Sequence, residues 1–184
     1  IKNKNICFMS NLLLRNHPKF LKAYSLIKRG ELGKIYHING EYNYGRLAKI
    51  NKGWRGKIPF YSVTQGGAIH LIDLIKWFTK SSVLKVISTS NNISTTSSNF
   101  KFDDNITTLI KYKNNMTASI TSNFGSVTQH DHTMSIYGTK GTIDIRNNNL
   151  YFTNSRKKKK IKKFIFKKNP NYKTKLLDQY ISSI

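Results

Sequence analysis

The sequence predicts an α+β fold, a largely antiparallel open β-sheet with helices packed on one face. Three observations predict it. Candidate elements run strand, helix, strand, helix, and then strands only. Two late pairs of strands are separated by tight turns, Lys113-Asn114-Asn115 and Gly138-Thr139-Lys140-Gly141. A run of hairpins gives antiparallel neighbours, and helices that come early in the chain must share a face of that sheet.

The elements follow in order. Residues 4–10 read as a short buried strand containing Cys7, and residues 11–16 as a connection. Pro18 suits the first turn of a helix, where its missing N–H is not needed. Phe20, Leu21, Tyr24, Leu26 and Ile27 then recur near helical spacing up to a stop at Gly30. After Gly33, residues 35–44 alternate as a long strand that Gly40 should interrupt. Residues 45–65 show no period and read as a long loop, a kind of segment usually functional or mobile. Gly66-Gly67 leads into a helix over 68–79 that is apolar almost all round, the pattern of a buried helix. Strands are expected over 83–88, 105–112, 116–123, 133–137, 142–146 and 150–153, with a Ser/Asn-rich loop over 88–99. The basic tract 157–168 reads as an edge strand guarded by lysines, and 172–184 as a final helix.

Composition narrows the function classes. The chain has 184 residues, enough for one domain with a core. Hydrophobic residues make up 38%, too many for a disordered chain. No stretch approaches the roughly 20 apolar residues of a membrane span, so no membrane partner is expected. A single cysteine, Cys7, fits a reducing compartment, and a cytoplasmic location is expected. The formal net charge is +24. A basic domain docking nucleic acid or another polyanion through residues 157–168 is one reading of that charge. A non-catalytic domain that only assembles with a partner protein is another. But the basic residues are mainly Lys, in a sequence also rich in Asn and Ile, which points to biased composition. Recognition of nucleic acid favours Arg. No specific nucleic acid is expected.

Chemistry-bearing residues concentrate in two segments. His70 and Asp73 fall three apart on the buried helix, with Trp77 on the same face. A histidine and a carboxylate buried together must be paired or hydrogen-bonded. Beside a cleft such a His exchanges protons near neutral pH, and in a closed core it is satisfied by Asp73. The loop before the helix carries Trp54, Arg55, Tyr61 and Gln65, residue types that grip a hydroxylated ring. Tyr44 and His132 are further candidate substrate contacts. His130 and His132 would lie on one side of a strand, without the cluster that completes a metal site. They read as a solvent-facing strand start, and no metal is expected. No G-x-G-x-x-G fingerprint or P-loop is visible.

The order of motifs resembles the C-terminal domain of the glucose–fructose oxidoreductase/inositol dehydrogenase (Gfo/Idh/MocA) family over most of the chain. "NLLLRNHPKFLKAYSLIKRGELGKI" resembles the family's R-x-x-P helix and G-x-L-G-x-I turn. "GWRGKIPFYSVTQGGAIHLIDLIKWF" resembles its Trp/Arg loop and His-x-x-Asp helix, and "IYGTKGTIDI" its late hairpin. The resemblance implies an NAD- or NADP-dependent oxidoreductase acting by hydride transfer on a sugar, nucleotide sugar or polyol. It implies an upstream Rossmann half, bearing the catalytic lysine, whose last strand or linker would be residues 1–12. Residues 13–184 would form the substrate-binding and oligomerisation domain, inactive without the upstream half. His70 matches the catalytic histidine and Asp73 the aspartate after it. Arg15 matches the arginine near the domain junction, beside cofactor or substrate. The family's aspartate four residues before the histidine is Gly66 here, a departure from its Asp–His proton relay. A homo-oligomer joined through the sheet is expected, because the alternation at Ile106, Thr108 and Ile110 and at Ala118, Ile120 and Ser122 marks a face that needs cover.

Overall fold

The structure, a computed structural model, describes residues 9–157, 160–167 and 170–182. The strand expected over 4–10, with Cys7 in it, lies almost wholly outside the described residues. Within them, the expected α+β fold is observed. Eight strands form one open sheet in the order β2-β3-β4-β1-β5-β6-β7-β8. The strands are β1 (Ile35–Asn43), β2 (Val83–Asn91), β3 (Asn105–Tyr112), β4 (Thr117–Asn123), β5 (Asp131–Gly138), β6 (Thr142–Arg146), β7 (Asn149–Thr153) and β8 (Ile161–Ile165). The sheet is antiparallel except where β1 runs parallel to β4. The helices are α1 (Pro18–Lys28), α2 (Leu47–Asn51), α3 (Ile69–Thr79) and α4 (Thr174–Ile181).

Helix α1 begins where the sequence places it. Pro18 occupies the first turn, and the His17 side chain caps the helix by accepting the Lys19 N–H. Phe20, Ala23 and Leu26 form its buried stripe, and Lys19 is buried with them. Helix α3 buries Leu71, Leu74, Ile75 and Phe78, at the i, i+3, i+4, i+7 spacing of one helical face. Trp77 stacks on Tyr24 with ring centroids 4.1 Å apart, so it joins the two helices rather than facing a site.

The core lies between these helices and one face of the sheet. Ile38 and Tyr42 of β1 share one buried cluster with Ala118 and Ile120 of β4, Met134 and Ile136 of β5, and Ile143 and Ile145 of β6. Fully burying a side chain of this size stabilises by about 1.5–3 kcal/mol. The core therefore places the N-terminal turn of α3 firmly over β1.

Four expectations are corrected. Strand β1 runs unbroken through Gly40, and Leu71 occupies the space a side chain there would need. Residues 45–65 are not a structureless loop, since α2 and a helical turn at Trp54–Gly56 fold within them. The Gly66-Gly67 pair does lead into α3 as expected, through a π-helical turn over Thr64–Ala68. Finally, Ile110, Ala118, Ile120 and Ser122 are buried and Ile106 and Thr108 half-buried within the chain itself, so this alternation marks the internal core, not a face awaiting a partner. Strand β2 also runs on to Asn91, into the expected 88–99 loop.

Candidate active site

A cleft of about 560 Å³ opens where α1, the end of β1, the start of α3 and the start of β5 converge. Four of the chain's 5 histidines line it: His17, His70, His130 and His132. Tyr42 lies among the last three. Its ring centroid is 4.4 Å from that of His132, 5.4 Å from His130 and 6.4 Å from His70. The Tyr42 hydroxyl and His130 Nε2 share a hydrogen bond of 3.2 Å. Register explains the meeting. In the antiparallel ladder of β1 and β5, Tyr42 lies directly opposite His132. The close seat of α3 requires Gly67, because a Cβ there would come within 2.4 Å of the Tyr42 ring.

Burial controls the protonation of this cluster. It lowers the basicity of His70, against the opposing pull of Asp73. It lowers that of His130, helped by Arg46, and that of His132 further, helped by His130 and His70. His17 is pushed down to about 4 by burial and then by Lys19. Tyr42 is pushed up to about 12 by burial and then by Tyr44. Near neutral pH the four imidazoles are therefore uncharged and the phenol keeps its proton. Two ring nitrogens, His70 Nδ1 and His132 Nε2, are buried without a hydrogen-bond partner among the described residues. Buried polar groups in native proteins nearly always have partners, so these two are suited to meet a ligand.

His70 and Asp73 do not form the expected pair. Asp73 is held instead by Arg15, whose Nε donates to Oδ2 at 2.8 Å while Nη2 bonds Oδ1. That bond raises the Arg15 pKa. The two readings of His70 thus separate. It lines a cleft, and Asp73 does not satisfy it.

The other predicted residues fall apart in space. Trp54, Arg55, Tyr61 and Gln65 do not line this cleft. Arg55 stacks on Trp54 at 4.6 Å and donates from Nε to the Tyr61 hydroxyl at 3.2 Å. Trp54 is 60% exposed, and Gln65 is exposed as well. Tyr44 is buried behind the cleft, stacked on Phe124 with ring centroids 4.6 Å apart. At Gly66, a Cβ would lie 1.8 Å from the Tyr61 hydroxyl, so the space where a relay aspartate would start is taken. His132, expected at a solvent-facing strand start, is instead packed against Tyr42 because β5 pairs with β1. Among the described residues no group of three His, Cys, Asp or Glu side chains is placed to hold a metal ion.

Sequence reasoning missed Tyr42, His17, Lys19, Arg46 and His130 as cleft residues. Lys19 carried a readable signal. It falls on the same stripe as Ala23 and Leu26, where a helix ordinarily places apolar residues. Its Nζ donates to Asp131 Oδ1 and to the His132 carbonyl, each at 3.0 Å. Burial lowers its pKa, opposed by Asp131. Lys19 thus ties α1 to the start of β5 and fixes the back of the cleft.

No helix among the described residues is long and apolar enough to cross a membrane. No curated protein sequence matches the chain. Among solved structures the fold is similar to levoglucosan dehydrogenase in complex with NADH and levoglucosan. That match has a TM-score of 0.77 and 19% identity, and covers 98% of this chain and 56% of that one. It is similar to myo-inositol 2-dehydrogenase from Lactobacillus plantarum, with a TM-score of 0.75, 15% identity, and 97% and 54% coverage. It is also similar to an inositol dehydrogenase homolog complexed with NAD+ from Azotobacter vinelandii, with a TM-score of 0.70, 17% identity, and 88% and 45% coverage. The chain thus spans about half the length of these structures. The family model of the GFO/IDH/MocA C-terminal domain matches residues 20–144, most of the sheet and both core helices. The chain therefore belongs to the GFO/IDH/MocA oxidoreductase family, in the part described by that C-terminal domain.

Proposed function

We propose that this chain is the substrate-binding and catalytic half of a nicotinamide-dependent oxidoreductase that acts on a hydroxyl or carbonyl of a sugar or polyol. Residues 13–184 form that half, and residues 1–12 join it to an upstream dinucleotide-binding half. The observation that carries the reading is His70. Its ring lines the cleft, is kept neutral by burial, and has a buried Nδ1 without a partner. A neutral imidazole so placed accepts the proton of a substrate hydroxyl, and returns it in the reverse direction. Tyr42, His130 and His132 shape the pocket around the reacting carbon. The structural neighbours that bind levoglucosan with NADH, or are named for inositol, support a polyhydroxylated substrate.

The cofactor, NAD or NADP, would supply the hydride acceptor or donor and would be held mainly by the upstream half. In this chain Arg15 fits its edge. The side chain is 45% exposed, is anchored by Asp73, and keeps Nη1 without a hydrogen bond to the described residues. Asp73 then acts by orienting Arg15 and by supporting the basicity of His70, not by bonding the imidazole.

Self-association would use the face of the sheet opposite the helices. There Ile87 and Leu109 pair across β2 and β3 and are 57% and 55% exposed. Sedimentation of the chain joined to its upstream half tests this, and a clean monomer at micromolar concentration would count against it.

The test of the catalytic reading is His70→Ala in that joined enzyme. Turnover should fall about 10²–10⁴-fold with the melting temperature nearly unchanged. Wild-type turnover in folded, cofactor-binding variant protein would remove His70 from the mechanism.

A further inference from the structure

The cleft carries positive charge that no carboxylate answers. The chain has 8 acidic residues against 32 basic ones, and all of the acidic ones fall among the described positions. Of these, Asp131 alone lines the cleft. It is fully engaged: Oδ1 accepts Lys19 Nζ at 3.0 Å and the His132 N–H at 2.8 Å, and Oδ2 accepts the Asn147 N–H at 3.0 Å. Asp131 and Lys19 neutralise each other.

Two more cations line the same cleft, Arg46 and Lys173, both exposed. Neither takes part in an ion pair with a described residue. The Arg46 guanidinium lies 5.8 Å from the centre of the Tyr44 ring, and its charge is felt inside the cleft at Tyr42 and His130. A basic chain scatters cations everywhere. Here, though, unanswered cations share a concave site with two unpartnered ring nitrogens, His70 Nδ1 and His132 Nε2. Cations that line a cleft attract a charged ligand and hold it by charge-assisted hydrogen bonds.

We propose that this cleft takes a sugar or polyol bearing an anionic group, a carboxylate or a phosphate, whose charge is met by Arg46 and Lys173 while its hydroxyls meet His70 and His132. The inference rests on the cleft being the sugar site, as argued above, and not on hydride transfer. The carboxylate of a sugar acid and the phosphate of a sugar phosphate share this chemistry. The fork of Arg46 suits either one.

The test is a binding titration of the full chain, which needs neither cofactor nor turnover. Glucuronate, glucose 6-phosphate and glucose are added in turn at constant ionic strength, and the histidine ring signals are followed by NMR. The charged ligands should saturate the shifts of His130 and His132 at concentrations at least tenfold below glucose. The tighter of the two identifies the anion. Arg46→Gln should remove most of that preference. Lys113→Gln, which deletes the same charge from a hairpin turn outside the cleft, should leave it intact. The proposal is overturned if glucose binds as well as the charged sugars, or if no ligand gives a saturable shift. It is equally overturned if the preference survives Arg46→Gln combined with Lys173→Gln, since general attraction to a +24 chain would then explain it. A preference that holds while the joined enzyme turns over no sugar would leave this inference standing and sink the oxidoreductase reading instead.

Discussion

Asp131 and Asp73 each hold a cation from the N-terminal part of the chain, but at different depths. The Lys19 side chain is 3% exposed and that of its partner Asp131 21%. The Arg15 side chain is 45% exposed and that of Asp73 9%. An ion pair taken out of water matters mostly through what its loss leaves behind, a buried charge without a counter-ion. A pair reached by solvent contributes little, because water and salt replace either partner. The first pair therefore belongs to the architecture of the cleft. The second is open to solvent at Arg15, so loss of its carboxylate leaves no buried charge behind.

The sharpest way to break this contrast is Asp131→Asn. It leaves Lys19 buried without its counter-charge and should destabilise the chain by about 3 kcal/mol in chemical denaturation. Adding Lys19→Met to that variant should restore part of the loss, because the ammonium is then gone. A loss below about 0.5 kcal/mol for Asp131→Asn would show the pair to be as solvent-screened as a surface pair.

A second measurement concerns the histidines that share the cleft with Lys19. His17 in the folded chain sits at about 4, and His132 lies well below its ordinary value of 6.5. In the unfolded chain both return to about 6.5. Between these values the unfolded state binds more protons than the folded one, so stability rises with pH. The stability these neutral rings contribute is present above about pH 6.5 and is lost as pH falls toward 4. Denaturation midpoints taken across that window should fall steadily. A flat profile in His17→Gln combined with His132→Gln would assign the slope to these rings, and an unchanged slope would exclude them.

The smallest effect is expected at the exposed pair. Asp73→Asn should change stability by at most about 1 kcal/mol, and by less in high salt. Its functional effect is different in kind. Asp73 raises the basicity of His70, so its neutralisation should shift the acid limb of the pH–rate profile of the joined enzyme to lower pH. A loss of several kcal/mol would mean that Asp73 is as structural as Asp131.

The site was less legible in the sequence than the fold, and for a physical reason. Strand and helix periods are local. The alternation of β1 and the 71, 74, 75, 78 stripe of α3 can be read within a dozen residues, and both are present in the structure. The turn residues 113–115 likewise announce the β3–β4 hairpin, where Asn115 adopts a left-handed backbone with φ 70°. His70 stood out by its motif and does line the cleft. Its partners could not be read the same way. Asp73 looked like the natural companion three residues away, yet a side chain from residue 15 reaches it first. Trp54, Arg55 and Tyr61 were grouped with His70 by closeness along the chain. In space they form their own stack beside α2.

The sequence by itself determined an α+β chain with two core helices, a set of strands with known inward positions, and one histidine marked by a family motif. Those features follow from local periodicity, turn chemistry and the residues of the motifs. Only the tertiary structure decided which residues surround that histidine. The parallel pairing of β1 with β4 and its antiparallel register with β5 join segments some 80–100 residues apart. That register sets Tyr42 opposite His132, and the seat of α3 above it brings in His70. Pairings at such separation depend on the packing of the whole core, because no local period specifies which strand will lie beside which.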